Sequence, residues 1–356
     1  MLLQGLRVQG NLAMTNFMYM FKYLDDALLS GWSFEAKGPT CELGGLRPAA
    51  PLIREKEEEE EGVEPGCWRE RLRFGVWVVF NARFMGTQWA ANKPARLRSS
   101  VPKGRVPGRW EFVAWNAGVL LAWKISSRFI DAWLLRPDSD NPFTVAVSLV
   151  MGDGWVTERV GRVLSVYVVL YFHIDSIYRV GALVCVALGF TDVEGWFRIS
   201  LFGSPVDARG VRLFWGRFWH QQARRFNSAI ANLIVYHVLR LPRGSLAVTY
   251  VFTLLVFASS GLWHLVGNFT SGISTSQSGA MYYFCIQALG IMLEDAFQAL
   301  VFPSSGKNGR EQREQQQQSL LVRAAGHLWL IAWLTWTTPP WCDPILAERK
   351  RRLYPG

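Results

Sequence analysis

What this sequence lacks excludes several kinds of chemistry. Its five cysteines (Cys41, Cys67, Cys185, Cys285 and Cys342) are odd in number and widely spaced, with no CxxC pair and no Cys/His cluster. That argues against a zinc site of ordinary spacing and against a compact secreted disulfide framework, so no metal is expected. Cys185 and Cys285 fall in apolar blocks, where a thiol packs as a small hydrophobe. No G-x-S-x-G elbow is present, which leaves a soluble serine hydrolase unsupported. The N-terminus has no basic segment leading into a clean apolar core, so a cleaved signal peptide is not expected. No internal repeat is found either.

Charge is sparse and segregated. Half of the 356 residues are apolar and 19% are charged, and the mean hydropathy of +0.10 would pass for a soluble protein. The average conceals apolar blocks of membrane-spanning length alternating with short charged connectors, the pattern of a polytopic membrane protein. Seventeen tryptophans fit that reading, because indoles favour the membrane–water interface. The net charge of +10 does not form one stripe. It is divided among connectors containing Arg96 to Arg109, Arg209 to Arg225 and Arg349 to Arg352. Such connectors read as loops facing anionic lipid rather than nucleic acid.

Along the chain, residues 1–71 read as an interfacial or partly buried helix (Asn11 to Leu29, with Lys22, Asp25 and Asp26) followed by an acidic disordered loop, Arg54 to Glu61. Residues 72–340 hold the apolar blocks, and 341–356 form a basic tail. About four blocks read as confident spans, with two to three more in doubt. Val160 to Phe190 reads either as one long helix or as two bending near Asp175. Asn268-Phe269-Thr270 is a weak glycosylation sequon. The intramembrane charges Asp175, Arg179, Glu294 and Asp295 also fit a transporter path.

Two histidines focus the functional reading. Leu246 to Gly267 has no acid, Lys or Arg and one imidazole, His264, preceded by Ser259, Ser260 and Gly261 and adjoining Trp263. A ring buried in hydrocarbon is costly unless partnered or used. The bland reading is a helix-packing His. The functional one is a general base, beside small residues that let a ligand approach closely. Phe214 to Gln222, FWGRFWHQQ, holds His220 among aromatics; on a helix it would share a face with Arg217 and Arg224. The bland reading is an aromatic-basic interfacial helix. The functional one is a cradle for a phosphate-bearing substrate.

The segment Val211 to Gln221 resembles the R-x-F-W-G-R-x-W-H/N-Q signature of wax-synthase-like proteins in the membrane-bound O-acyltransferase superfamily. Ser260-Gly261-Leu262-Trp263-His264 is similar to that family's S-G-x-x-H span, and Asn81 to Trp89 resembles its N-P-R-G-I-G-T-x-W stretch, with Ala82 for Pro and Phe84 for Gly. The resemblance implies an all-α polytopic transmembrane bundle. Family members begin with clear spans that are missing here, so a shortened or divergent bundle is expected. It also implies transfer from acyl-CoA, as co-substrate without a cofactor, to a lipophilic alcohol in the endoplasmic reticulum membrane.

In that reading His264 and His220 are catalytic, with His264 as base. Arg217, Gln221, Arg224 and Arg225 contact acyl-CoA, and Trp219, Ser260 and Trp263 line the pocket. The His-Gln ending at His220-Gln221 resembles the branch that acetylates terpenoids in fungal secondary metabolism. The alternatives are a wax ester synthase and a non-catalytic membrane protein. Because His264 falls near the outer end of its span, CoA arriving from the cytoplasm would need a tunnel to reach it.

Overall fold

Apolar segments surrounded by lipid satisfy their backbone groups most simply as helices, and the described residues are mainly helical, with two short strands. The structure, a computed structural model, describes residues 2–48, 68–82, 84, 87–89, 106–134, 142–197, 201–301 and 320–353. The helices are α1 (Leu2–Tyr23), α2 (Trp68–Phe80), α3 (Arg109–Leu134), α4 (Pro142–Met151), α5 (Trp155–Ala187), α6 (Val193–Phe197), α7 (Val211–Leu213), α8 (Arg224–Asn232), α9 (Leu246–Thr270), α10 (Ala280–Val301), α11 (Leu320–Thr337) and α12 (Pro339–Leu353). Helices α1, α7 and α8 each run on into a wider π-helical turn, at Leu24–Leu29, Phe214–Phe218 and Leu233–Val238. Two short antiparallel strands, β1 (Trp32–Ser33) and β2 (Gly38–Pro39), follow the first of these.

Three described helices are long and apolar enough to cross a membrane: α5, α9 and α10. That is one fewer than expected. The last block does form a helix, α11, but Arg323 and His327 dilute its apolar character. Outward-facing Leu149, Val150, Leu300, Leu320 and Leu321 are largely exposed, as side chains facing lipid would be. Val160 to Ala187 belongs to one unbroken helix of 33 residues, and Leu188 to Phe190 form the turn that follows it. Asp175 does not break it, because Arg179 pairs with its carboxylate at 2.5 Å and reaches Asn116 on α3 at 2.9 Å.

The N-terminal helix α1 packs along α9 and α8, with Met14 against Gly267. Asp25 and Asp26 are buried. The acidic run 54–61 lies outside the described residues. The sequon is also used internally: Asn268 is buried and its amide donates to the Ser278 hydroxyl at 2.8 Å. At Gly279 the backbone is left-handed (φ +56°) and lies against the Pro340 carbonyl, so only glycine lets α12 close against the start of α10.

The core gathers aromatics from α5, the π turn after α7, α9, α10, α11 and α12, including Phe214, Trp219, Tyr283, Phe284, Trp333 and Trp341. Gln287 is fully buried within it. Its carbonyl accepts from Trp215 Nε1 and Trp333 Nε1, both at 3.1 Å, while its amide donates to the Tyr283 carbonyl at 3.0 Å. One side chain thereby joins the π turn, α10 and α11.

Candidate active site

The segment carrying His220 is held from both ends. Glu294 on α10 accepts from the backbone N–H of Val211 and Arg212 (the latter at 3.0 Å) and from Trp329 Nε1 at 2.8 Å. A carboxylate there satisfies N–H groups that a helix start leaves open. Asp295 pairs with Arg212 and accepts from the Tyr250 hydroxyl at 3.2 Å. Neither acid stands as a bare charge on a path, so the feature that favoured a transporter has a structural use.

After the π turn the backbone straightens at Trp219 (φ −65°, ψ 147°), and His220 follows in irregular chain before α8. The expected single helical face of Arg217, His220 and Arg224 therefore does not exist. The straightening leaves carbonyls without helical partners. Gln221 answers two of them, donating from Nε2 to Trp215 O at 2.7 Å and Trp219 O at 2.6 Å. Arg224 Nη1 donates to Gly216 O and to Gln221 Oε1, both at 3.1 Å.

Helix α8 is then tied to α9 by Asn227 Nδ2, which donates to Ser260 Oγ at 2.7 Å, one turn before His264. The His264 ring lies between Trp263 (centroids 3.8 Å apart) and Phe284 (4.5 Å, nearly parallel), with Trp341 edge-on at 5.3 Å. Stacking on two faces leaves the ring edge for polar contact. Both histidines, 44 positions apart in sequence, line one cavity of about 600 Å³.

Trp219, Ser260, Trp263, Gln221 and Arg224 also line the cavity. Arg217 and Arg225 are not among its lining residues. Arg217 is exposed. Arg225 turns into the protein interior, donating at 2.8 Å to Asp25 Oδ1, at 2.9 Å to Ser30 Oγ and at 2.8 Å to Gly44 O. A guanidinium so engaged is a brace rather than a ligand for phosphate, which corrects its expected acyl-CoA contact. Burial pushes the Asp25 and Asp26 carboxyls up, Asp26 to about 6, against the opposing pull of Arg225 on the first and Lys22 on the second.

Sequence reasoning passed over Gln287, Asn227 and Tyr167, whose hydroxyl meets that of Tyr283 beside the cavity. Gln287 carried a usable signal, an uncharged amide in the middle of an apolar span. Asn227 and Tyr167 carried none, because their partners are distant in sequence.

Comparison with known proteins follows the same lines. A model of the membrane bound O-acyl transferase family matches residues 199–286, the stretch containing both histidines. The acetyltransferase fsoF of Humicola fuscoatra is 38% identical over 340 residues, covering 90% of this chain and 78% of that protein. The acetyltransferase aurG of Calcarisporium arbuscula is 30% identical over 339 residues, covering 91% and 77%. The acetyltransferase nanB of Aspergillus nanangensis is 32% identical over 332 residues, covering 88% and 76%. No solved structure matches.

Proposed function

The chain belongs to the membrane bound O-acyl transferase family, and from that premise we propose the reaction it carries out: acetyl transfer from acetyl-CoA to a hydroxyl of a lipophilic acceptor such as a terpenoid. His264 takes the acceptor proton as the hydroxyl oxygen attacks the thioester carbonyl. The C–O bond forms, the C–S bond breaks, and the CoA sulfur leaves with the proton His264 had taken. His220 donates a hydrogen bond to the carbonyl oxygen as negative charge develops there. The enzyme needs no nucleophile of its own.

The single observation carrying this reading is that the two imidazoles share one cavity. The same cavity is lined by Arg212 and Arg224, cations suited to the CoA phosphates. Arg217, exposed and outside the lining, is a further candidate phosphate partner. The relatives' names favour an acetyl donor over the long acyl chain of a wax synthase. We place the reaction in secondary metabolism at the endoplasmic reticulum membrane.

The test is microsomes from a host lacking related enzymes, supplied with acetyl-CoA, longer acyl-CoAs and an alcohol panel, with esters sought by mass spectrometry. General-base catalysis contributes roughly 10²–10⁴-fold, so His264→Ala at matched protein level should lose at least about a hundredfold. A variant within about twofold of the parent, far short of that contribution, removes His264 as the base.

A further inference from the structure

Lys22 stands in the cavity wall near the end of α1, and the proposed chemistry makes no use of it. It is only 5% exposed. Its Nζ donates to Asp26 Oδ2 at 2.5 Å and lies 5.2 Å from the centroid of the Phe84 ring. An ammonium carries three N–H donors, and among the described residues Asp26 is the hydrogen-bond acceptor that Lys22 has. A buried ammonium is costly while its donors lack oxygen partners. The lining residues Met18, one turn before Lys22 on α1, and Val79, Phe80 and Ile177 have no side-chain oxygen to offer.

The position of the ammonium is fixed. Asp26 holds it from one side by charge, and the face of Phe84 attracts it from another. Phe84 is fully buried with a left-handed backbone (φ +49°), at the position where the resembled motif has glycine. That conformation is unfavourable for a residue with a Cβ. It places the ring near Lys22 while stacking it on Trp32 at 4.1 Å.

We infer that Lys22 is an acceptor-binding residue whose remaining N–H groups take a carbonyl or carboxylate oxygen that the lipophilic acceptor carries away from the hydroxyl being acetylated. The inference rests on the proposed reaction for the identity of the molecule filling the cavity. A pocket of this size recognises a ligand through apolar contact plus a few fixed polar groups, and Lys22 is such a group on the α1 side. Arg212 and Arg224, from other elements, are left for the donor.

The test uses the full chain in lipid nanodiscs with three probes: a trans-decalin alcohol, the same alcohol bearing a ketone, and the same alcohol bearing a carboxylate. Binding is read from quenching of intrinsic tryptophan fluorescence, since Trp215, Trp219 and Trp263 line the cavity. The parent protein should bind at least one oxygenated probe about tenfold tighter than the plain alcohol. Lys22→Met should bring that ratio close to one. So should Lys22→Met combined with Asp26→Asn, which leaves no uncompensated carboxylate and protects the test against misfolding of the single variant. Absence of any preference in the parent, or a preference kept by the double variant, overturns the inference. Ester formation from acetyl-CoA is followed in the same discs. A Lys22-dependent preference without ester overturns the proposed reaction and leaves the Lys22 site standing.

Discussion

Arg225 and Asp25, 200 positions apart in sequence, meet at 2.8 Å in the protein interior, both almost fully buried. The contact binds the π turn after α1 to the start of α8, and so places the N-terminal wall of the cavity relative to the His220 segment. Removing one partner of a buried ion pair leaves an uncompensated charge, typically at a cost of about 3–5 kcal/mol. Asp25→Ala or Arg225→Met should lower the thermal midpoint in detergent accordingly. Asp25→Leu with Arg225→Met should recover much of the loss. At temperatures where each variant is folded, KM for acetyl-CoA should be unchanged, since Arg225 does not line the cavity.

Gln221 bridges Trp215 O and Trp219 O on either side of the turn that precedes His220. Gln221→Leu frees that turn without touching the imidazole. A displacement near 1 Å at a reacting group costs on the order of 10²-fold, so kcat should fall about 10–100-fold with KM for acetyl-CoA held within about twofold. The opposite split, KM raised tenfold with kcat retained, would mean that Gln221 contacts CoA after all.

Asp26 makes stability depend on pH. Burial raises its carboxyl from 3.8 to about 6, more than the nearby Lys22 lowers it. The folded state therefore binds the proton more tightly than the unfolded chain. The associated stability is fully present below pH 3.8 and is lost as pH rises through about 6. Thermal midpoints at unit steps from pH 4 to 7 should show this loss in the parent. Asp26→Asn, which cannot titrate, should flatten it, and an unchanged slope in that variant would assign the dependence to another group.

Gln287→Leu should destabilise the bundle strongly for its size. The Trp215 and Trp333 indole N–H groups would lose their shared acceptor, at about 1–3 kcal/mol for each buried donor left unsatisfied. Gln287→Glu keeps the acceptor oxygens and should be the milder change. Denaturant midpoints in matched detergent compare the two.

Much of the site was legible because its residues are local in sequence. FWGRFWHQ and SGLWH are contiguous motifs, and the second lies in an apolar run whose helical state the surrounding hydrocarbon dictates. The shape of the first motif was not legible. Helical periodicity placed Arg217, His220 and Arg224 on one face, but the chain widens into a π turn and then straightens at Trp219. Nothing in the local sequence announces that a glutamine one residue past the histidine will answer the freed carbonyls. The role expected for Arg225 failed for a related reason: its partner, Asp25, lies 200 positions away in sequence.

The amino-acid order by itself determined that the chain is helical and membrane-embedded, and which two imidazoles are the candidates for the chemistry. Composition, span length and motif are properties of consecutive residues, and the bilayer leaves such residues few alternatives to the helix. Only the tertiary structure decided that the two histidines share a cavity, that Arg225 is a brace for Asp25, and that Lys22 lies in the wall. Those facts depend on which buried charges and amides find partners across long stretches of chain. In an apolar interior each such group pairs wherever packing brings a partner within hydrogen-bond reach, and packing is settled by the whole bundle at once.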